Sequence, residues 1–124
     1  MPILDIEIII RPGEILDHNL VEELANRAGE IFVAPSGSTW VKLRTLSHEN
    51  YAESGGDSPL EFFPVFVSVL VARLPAPDKM QIEVAKLTAA IAKTCARPEE
   101  NVHIIYLPEG AGRVSFGGKL VPPD

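Results

Sequence analysis

The segment PVFVSVLVAR, from Pro64 to Arg73, is almost continuously apolar and rich in β-branched residues. Such a run is typical of a strand that is buried on both faces and lies inside a sheet. The segment from Pro2 to Arg11 also begins with a proline and ends with an arginine, and the two prolines and the two arginines are each 62 residues apart. The offset indicates a duplicated unit, with one copy in residues 2–46 and the other in residues 64–120.

The first copy predicts a strand, a helix and a second strand. Apolar residues alternate from Ile3 to Ile10, which predicts a strand. Asp17 is a candidate N-cap for a helix whose apolar residues recur at helical spacing as far as Phe32. Alternation resumes from Trp40 to Leu46 and predicts the second strand.

The second copy repeats this order. The apolar segment quoted above is the predicted central strand, and a helix follows between Pro77 and Pro98. The last main strand is predicted from Val102 to Leu107, and the Gly-rich residues 110–118 favour a short hairpin. Residues 47–63 are polar and rich in turn formers, so we expect a loop between the copies.

Right-handed crossovers in both copies predict one α+β domain over residues 1–124, with a four-stranded mixed sheet and both helices on one face. The same element order also occurs in ferredoxin-like domains, many of which bind small regulatory molecules. The sequence order alone leaves both topologies open.

The charge balance limits the classes of binding partner that we expect. With 11 basic and 17 acidic residues the net charge is −6, which disfavours nucleic acid or an anionic membrane surface as a partner and favours a small-molecule ligand.

Cys95 is the single cysteine, so an internal disulfide is excluded and a cytoplasmic location is our expectation. His18 and His48 have no partner at metal-ligand spacing, so we expect no metal. The apolar start does not resemble a signal peptide, and the longest apolar stretch is too short to span a membrane.

Three features together resemble the tautomerase superfamily: a Met-Pro-Ile start, two β-α-β halves of about sixty residues, and the tail Ser-Phe-Gly-Gly-Lys-Leu from Ser115 to Leu120. The second half is most similar to 4-oxalocrotonate tautomerases. The whole chain resembles macrophage migration inhibitory factors and malonate semialdehyde decarboxylases. The resemblance implies a homotrimer without a cofactor that transfers a proton between the enol and keto forms of a small carbonyl acid, with Pro2 as the catalytic residue.

Pro2 can act as a general base only when it is the first residue of the chain. A free α-amine has a reference pKa of about 8, and burial or a nearby cation lowers it toward the pH at which a general base works best. Removal of Met1 is therefore a condition, because an amide nitrogen has essentially no basicity. The alternative is that Pro2 only begins a strand, a position where proline is tolerated.

The resemblance also implies two arginines that bind the carboxylate of the substrate. Arg73 corresponds to a substrate-binding arginine of the decarboxylase-like members, and a guanidinium there can hold a carboxylate through two hydrogen bonds. Arg11 corresponds, one residue out of register, to a carboxylate-binding arginine of 4-oxalocrotonate tautomerase. The alternative for both is a solvated arginine at the end of a strand.

Four further residues lie where the family has pocket residues. His103 is the counterpart of a tyrosine or an arginine and is a candidate donor to a developing enolate. Val114 and Phe116 correspond to apolar pocket residues, and Arg113 is close to the same mouth in sequence. A solvent-facing histidine and simple packing of the hairpin are the alternatives.

Departures from the family pattern limit the reaction. Ser38 stands where the decarboxylases have an aspartate, and Pro75 replaces the second arginine of their pair. Glu109 is only a loose candidate for the water-activating acid of the dehalogenases. Keto-enol tautomerisation requires the fewest groups and is the predicted activity; a non-catalytic binding or interaction protein is the alternative. The segment from Gly112 to Lys119 has the wrong spacing for a phosphate-binding loop.

Overall fold

A computed structural model describes residues 2–55 and 63–123 of the chain. The elements within these ranges are β1 (Ile3–Ile10), α1 (Leu20–Ile31), β2 (Trp40–Ser47), β3 (Val65–Leu70), α2 (Pro77–Cys95), β4 (Val102–Tyr106), β5 (Ser115–Phe116) and β6 (Lys119–Leu120). The predicted loop 47–63 begins with the last residue of β2 and a short 3-10 turn, and its residues 56–62 lie outside the described ranges.

The main sheet has the order β2-β1-β3-β4. β1 and β2 are parallel, β3 and β4 are parallel, and the two halves meet through the antiparallel pair β1–β3. The predicted α+β fold with a four-stranded mixed sheet is confirmed. The ferredoxin-like alternative is wrong, because that fold splits each β-α-β unit, whereas here the two strands of each unit are neighbours.

The two halves correspond in structure with the same offset as in sequence. β1 begins at residue 3 and β3 at residue 65, and β2 begins at residue 40 and β4 at residue 102, so each pair differs by 62. The antiparallel pairing of β1 with β3 therefore places the start of each central strand beside the end of the other.

Both helices cover one face of the sheet. The core under them contains alternate residues of the two central strands and the apolar stripes of both helices: Leu4, Ile6, Ile8, Val65, Val67, Val69, Leu20, Leu24, Ala28, Leu87 and Ile91. This alternation is the period-2 pattern of a sheet with one covered face.

The prediction for β3 needs correction. The strand ends at Leu70 instead of Arg73, and only one of its faces is buried, because Phe66 and Ser68 are half-buried on the face opposite the helices. We call this face, which also carries Trp40, His103 and Ile105, the open face of the sheet. The apolar run of β3 therefore belongs to a strand whose open face is only half-buried in the single chain.

Two smaller predictions also differ from the structure. α1 begins with Asn19 as its N-cap, without a side-chain cap, while the Asp17 carboxylate accepts the N–H of Asn19 at 2.9 Å in the turn before the helix. The tail hairpin lies at residues 115–120 rather than 110–118. Its turn is Gly117–Gly118, both with positive φ (60° and 87°), a conformation that glycine adopts without strain.

Arg97 closes the end of the sheet where β1 finishes and β3 begins. Its side chain is 0% exposed and forms a two-pronged ion pair with Glu14, at 2.9 and 2.8 Å. The guanidinium also donates to the backbone carbonyls of Phe63, Cys95 and Ile9, at 2.7, 3.1 and 2.9 Å. A buried cation is tolerated only when it is paired and fully hydrogen-bonded, and Arg97 meets this condition.

We predict that Glu14 makes folding stability fall in acid. Its hydrogen bonds from Arg97 hold the pKa of the carboxyl group below its usual value of 4.5. A lowered pKa means that the stabilisation is complete above pH 4.5 and is lost as the pH falls through the pKa of the folded state. Glu14→Gln should lower the free energy of unfolding by roughly 3 kcal/mol at pH 7, because Arg97 stays buried without its charge partner.

Urea unfolding at pH 7 and at successively lower pH tests this prediction, with the exposed Glu100→Gln as the matched control. The difference between wild type and Glu14→Gln should shrink as the wild-type carboxylate is protonated. A difference that stays constant with pH would contradict the assignment.

Candidate active site

A cavity of about 440 Å³ opens at the end of the sheet where β1 starts. The register of β1 and β3 pairs Ile3 with Leu70, so Pro2 lies beside the residues that follow β3. The cavity is walled by Pro2, the segment after α1, the segment after β3, and α2. Its lining residues are Pro2, Phe32, Ala34, Pro35, Ser38, Val71, Arg73, Pro75 and Glu83. We call it the Pro2 cavity.

Pro2 is buried and held in place through its carbonyl oxygen. This oxygen accepts the backbone N–H of Trp40, the first residue of β2, at 3.0 Å. The contact extends the parallel β1–β2 ladder by one residue beyond Ile3. The pyrrolidine ring is therefore anchored on the sheet while it forms part of the cavity wall.

Arg73 is the cation of this cavity. It is exposed, and its Nη2 donates to the carbonyl of Pro122 in the tail at 3.2 Å. The next residue, Leu74, donates its backbone N–H to the Glu109 carboxylate at 2.9 Å. The tail and Glu109 thus hold the segment after β3. Two of the predicted site residues, Pro2 and Arg73, are brought together by the fold.

The cavity also contains an acid that the sequence analysis did not single out. Glu83 of α2 is half-buried, and its Oε1 accepts the hydroxyl of Tyr106 at 2.6 Å. Burial, and secondarily this hydrogen bond, raise the pKa of the Tyr106 hydroxyl, so it stays protonated and donates. The available sequence signal was an acidic residue four positions before the buried Leu87, on the side of the helix that faces the protein.

Arg11 and His103 lie elsewhere in the single chain. Arg11 follows the far end of β1, where it pairs with Glu14 at 3.1 Å, donates to the carbonyl of Ala96 at 3.2 Å and lies over the ring of Phe63. His103 is exposed on the open face, and its ring centroid is 5.5 Å from that of Phe66. Neither residue lines the Pro2 cavity.

The remaining predicted residues belong to the tail. Arg113 and Val114 line a separate cavity of about 390 Å³ next to Leu70. Arg113 donates to the carbonyls of Glu109 and Pro108, each at 3.0 Å. Phe116 packs edge-on against Trp40, with ring centroids 5.3 Å apart. Phe116 therefore contacts the residue that anchors the Pro2 carbonyl but does not line the Pro2 cavity.

The two positions at which the sequence departs from the decarboxylase pattern are both in the wall of the Pro2 cavity. Ser38 and Pro75 line it, and the hydroxyl of Ser38 donates to the carbonyl of Pro35 at 2.7 Å. Among residues 2–55 and 63–123 there is no group of three or more His, Cys, Asp or Glu side chains that could hold a metal ion. No helix in the same ranges is long and apolar enough to cross a membrane.

Comparison with solved structures identifies the fold. The macrophage migration inhibitory factor of Trichinella spiralis superposes with a TM-score of 0.72 at 15% identity, over 95% of this chain and 98% of that one. A fused 4-OT described as a wild-type symmetric trimer gives 0.76 at 12% identity, over 96% and 94%. Pt0534, described as inactivated by 2-oxo-3-pentynoate, gives 0.74 at 18% identity, over 98% and 96%.

The chain therefore has the fold of the macrophage migration inhibitory factor and 4-OT structures along essentially its whole length. At these identities the likeness concerns the fold alone. No family model matches the sequence, and no curated protein is similar to it in sequence.

Proposed function

We propose that this protein is a keto-enol tautomerase of small 2-oxo acids and that its base is the amine of Pro2 after removal of Met1. The observation that carries the proposal is that Pro2 and Arg73 line one cavity. An amine and a guanidinium in one cavity supply the two functions that the reaction needs, a proton carrier and a carboxylate-binding cation.

The reaction conserves atoms and needs no cofactor. The neutral amine of Pro2 takes the proton from the C2 hydroxyl of the enol, the carbonyl forms, and the C2–C3 double-bond electrons accept the proton back from the ammonium at C3. Arg73 would hold the carboxylate and so orient C3 toward the amine. The burial of Pro2 and the nearby cation both disfavour the protonated amine, which keeps the base available at neutral pH.

The solved structures lend support at the level of the fold and of the ligand class. The fold is shared with 4-OT structures, and one structural neighbour is inactivated by a 2-oxo acid, 2-oxo-3-pentynoate. A 2-oxo acid also suits the proposed site, because the arginine can bind its carboxylate while the amine exchanges a proton with the neighbouring carbons.

A homotrimer is part of the proposal. On the open face, Ile105 is 63% exposed and Trp40 is 43% exposed, so large apolar side chains face solvent on both edge strands of the sheet. Three fused 4-OT neighbours are described as trimers. In such an assembly some of the candidate substrate-binding residues would come from a neighbouring copy. The candidates that do not line the Pro2 cavity of the single chain are Arg11, His103, Arg113, Val114 and Phe116.

We predict that Pro2→Ala loses most of the ketonisation of enol phenylpyruvate, with kcat/KM reduced about 100-fold, because the alanine amine lacks the ring that fixes its position and a small misplacement costs about 10²-fold. Intact mass establishes first that Met1 is absent. The exposed Pro12→Ala is the matched control and should keep the wild-type rate. Equal rates for Pro2→Ala and wild type would refute the proline mechanism, and if both equal the uncatalysed rate a binding protein is the remaining function.

We predict that Arg73→Ala raises KM for the same substrate and lowers kcat/KM about 10- to 100-fold, since a hydrogen bond to a charged group contributes about 1.5–3 kcal/mol. Arg73→Lys should recover part of the loss, because lysine keeps the charge but not the two-pronged geometry. Arg27→Ala, an exposed arginine of α1, serves as the control. An unchanged KM in Arg73→Ala would remove Arg73 from the site.

We predict a solution mass three times that of the 13.5 kDa chain, measured by size-exclusion chromatography with light scattering. Ile105→Glu should shift the mass toward that of the monomer, because it places a charge on the open face. Ile15→Glu, at an exposed position in the connection between β1 and α1, is the control and should leave the mass unchanged. A monomeric wild type would contradict the trimer.

A further inference from the structure

The Pro2 cavity carries charges of both signs. Arg73 is its cation and Glu83 its carboxylate, and Ser38 adds a hydroxyl. A cavity built only to bind anions would not place a carboxylate in its wall, because two like charges in a partly buried site repel each other. The acid therefore restricts which ligands the cavity accepts.

We propose that Glu83, positioned by Tyr106, selects 2-oxo acids with one carboxylate and a hydrogen-bond donor at the far end, and excludes dicarboxylates. The inference rests on the proposed function, because it takes Arg73 as the binding site of the first carboxylate. Beyond the proposed function, it specifies the chemical group at the end of the substrate opposite that carboxylate.

The geometry of Glu83 suits this role. The residue is on α2, and Tyr106 is the last residue of β4, opposite Val69 in the sheet, so their hydrogen bond of 2.6 Å ties the helix to the sheet next to the cavity. A carboxylate offers about four acceptor positions on its two oxygens, and Tyr106 occupies one at Oε1. The carboxylate is thus held in one orientation while it keeps the capacity to accept from a ligand.

The division of roles between the two groups follows from their protonation. The raised pKa of the Tyr106 hydroxyl keeps it a donor over the physiological pH range. Glu83 is therefore the acceptor of the pair and presents acceptor oxygens to the cavity. A ligand hydroxyl or amine matches such a group, whereas a second carboxylate meets it as a like charge.

Three 2-oxo acids of equal chain length test the proposal: 2-oxohexanoate, 6-hydroxy-2-oxohexanoate and 2-oxohexanedioate. They differ only in a methyl, hydroxymethyl or carboxylate terminus. Their dissociation constants are measured by calorimetry, and proton exchange at C3 is followed in D₂O by NMR. We expect the wild type to bind the hydroxy acid most tightly and the dicarboxylate at least about tenfold more weakly.

Two variants separate charge from positioning. Glu83→Gln should abolish the discrimination against 2-oxohexanedioate, because it removes the like charge with little change of shape. Tyr106→Phe keeps the charge but frees the carboxylate, so the preference for the hydroxy acid should fall while the dicarboxylate stays excluded. Asp78→Asn, which changes the same kind of charge on α2 outside the cavity, should keep the wild-type order.

The outcomes distinguish this inference from the proposed function. C3 exchange without discrimination among the three acids, or an unchanged order in Glu83→Gln, would overturn the selectivity of Glu83 and leave the tautomerase intact. Discrimination in binding without C3 exchange would uphold the selectivity and refute the tautomerase. Thermal unfolding of each variant controls for folding, since a merely structural loss would weaken all three ligands alike.

Discussion

The antiparallel pairing of β1 with β3 is the constraint on which the site depends. It joins the two β-α-β halves in the sheet, from Ile3 opposite Leu70 to Ile8 opposite Val65. The alternate residues of both strands are almost fully buried under the helices, so a slip by one residue would turn the apolar set away from the core. The register that packs the core therefore also places Pro2 beside the segment that carries Arg73.

The duplicated architecture has two comparable sheet ends, and they differ in what fills them. At one end Pro2 and Arg73 border a cavity. At the other, Pro64 is buried and the side chain of Arg97 is enclosed with Glu14. Arg97 is the counterpart of Pro35, a residue of the cavity wall, at the offset of 62. The nitrogen of Pro64 is an amide within the chain, so the filled end could not supply an α-amine.

The sequence predicted the main helices and strands because apolar periodicity is local and the core obeys it. The choice between the two topologies came from the strand order of the structure. Pro2 and Arg73 were expected in one site because of the resemblance to the tautomerase superfamily, and the register of β1 and β3 explains why they line the same cavity. The bonds between Arg97 and Glu14, and between Tyr106 and Glu83, join residues 83 and 23 positions apart. No pattern of spacing specifies such contacts, because they arise from the packing of a helix end or a helix face on the sheet. Arg11 and His103 do not line the Pro2 cavity of the single chain, and their proposed role requires a neighbouring copy, which a single sequence does not describe.

The two polar clusters differ in how many of their hydrogen-bonding positions are used. The guanidinium of Arg97 has five hydrogen bonds in the structure, which matches the number of its donors and leaves no capacity for a ligand. Glu83 has one hydrogen bond from Tyr106 and lies at the wall of a cavity. An oriented carboxylate with free acceptor positions at a cavity wall can accept from a bound donor. A polar cluster therefore stabilises the fold at one end of the sheet, where all of its donors are used, and the cluster with free acceptor positions is the one proposed for recognition.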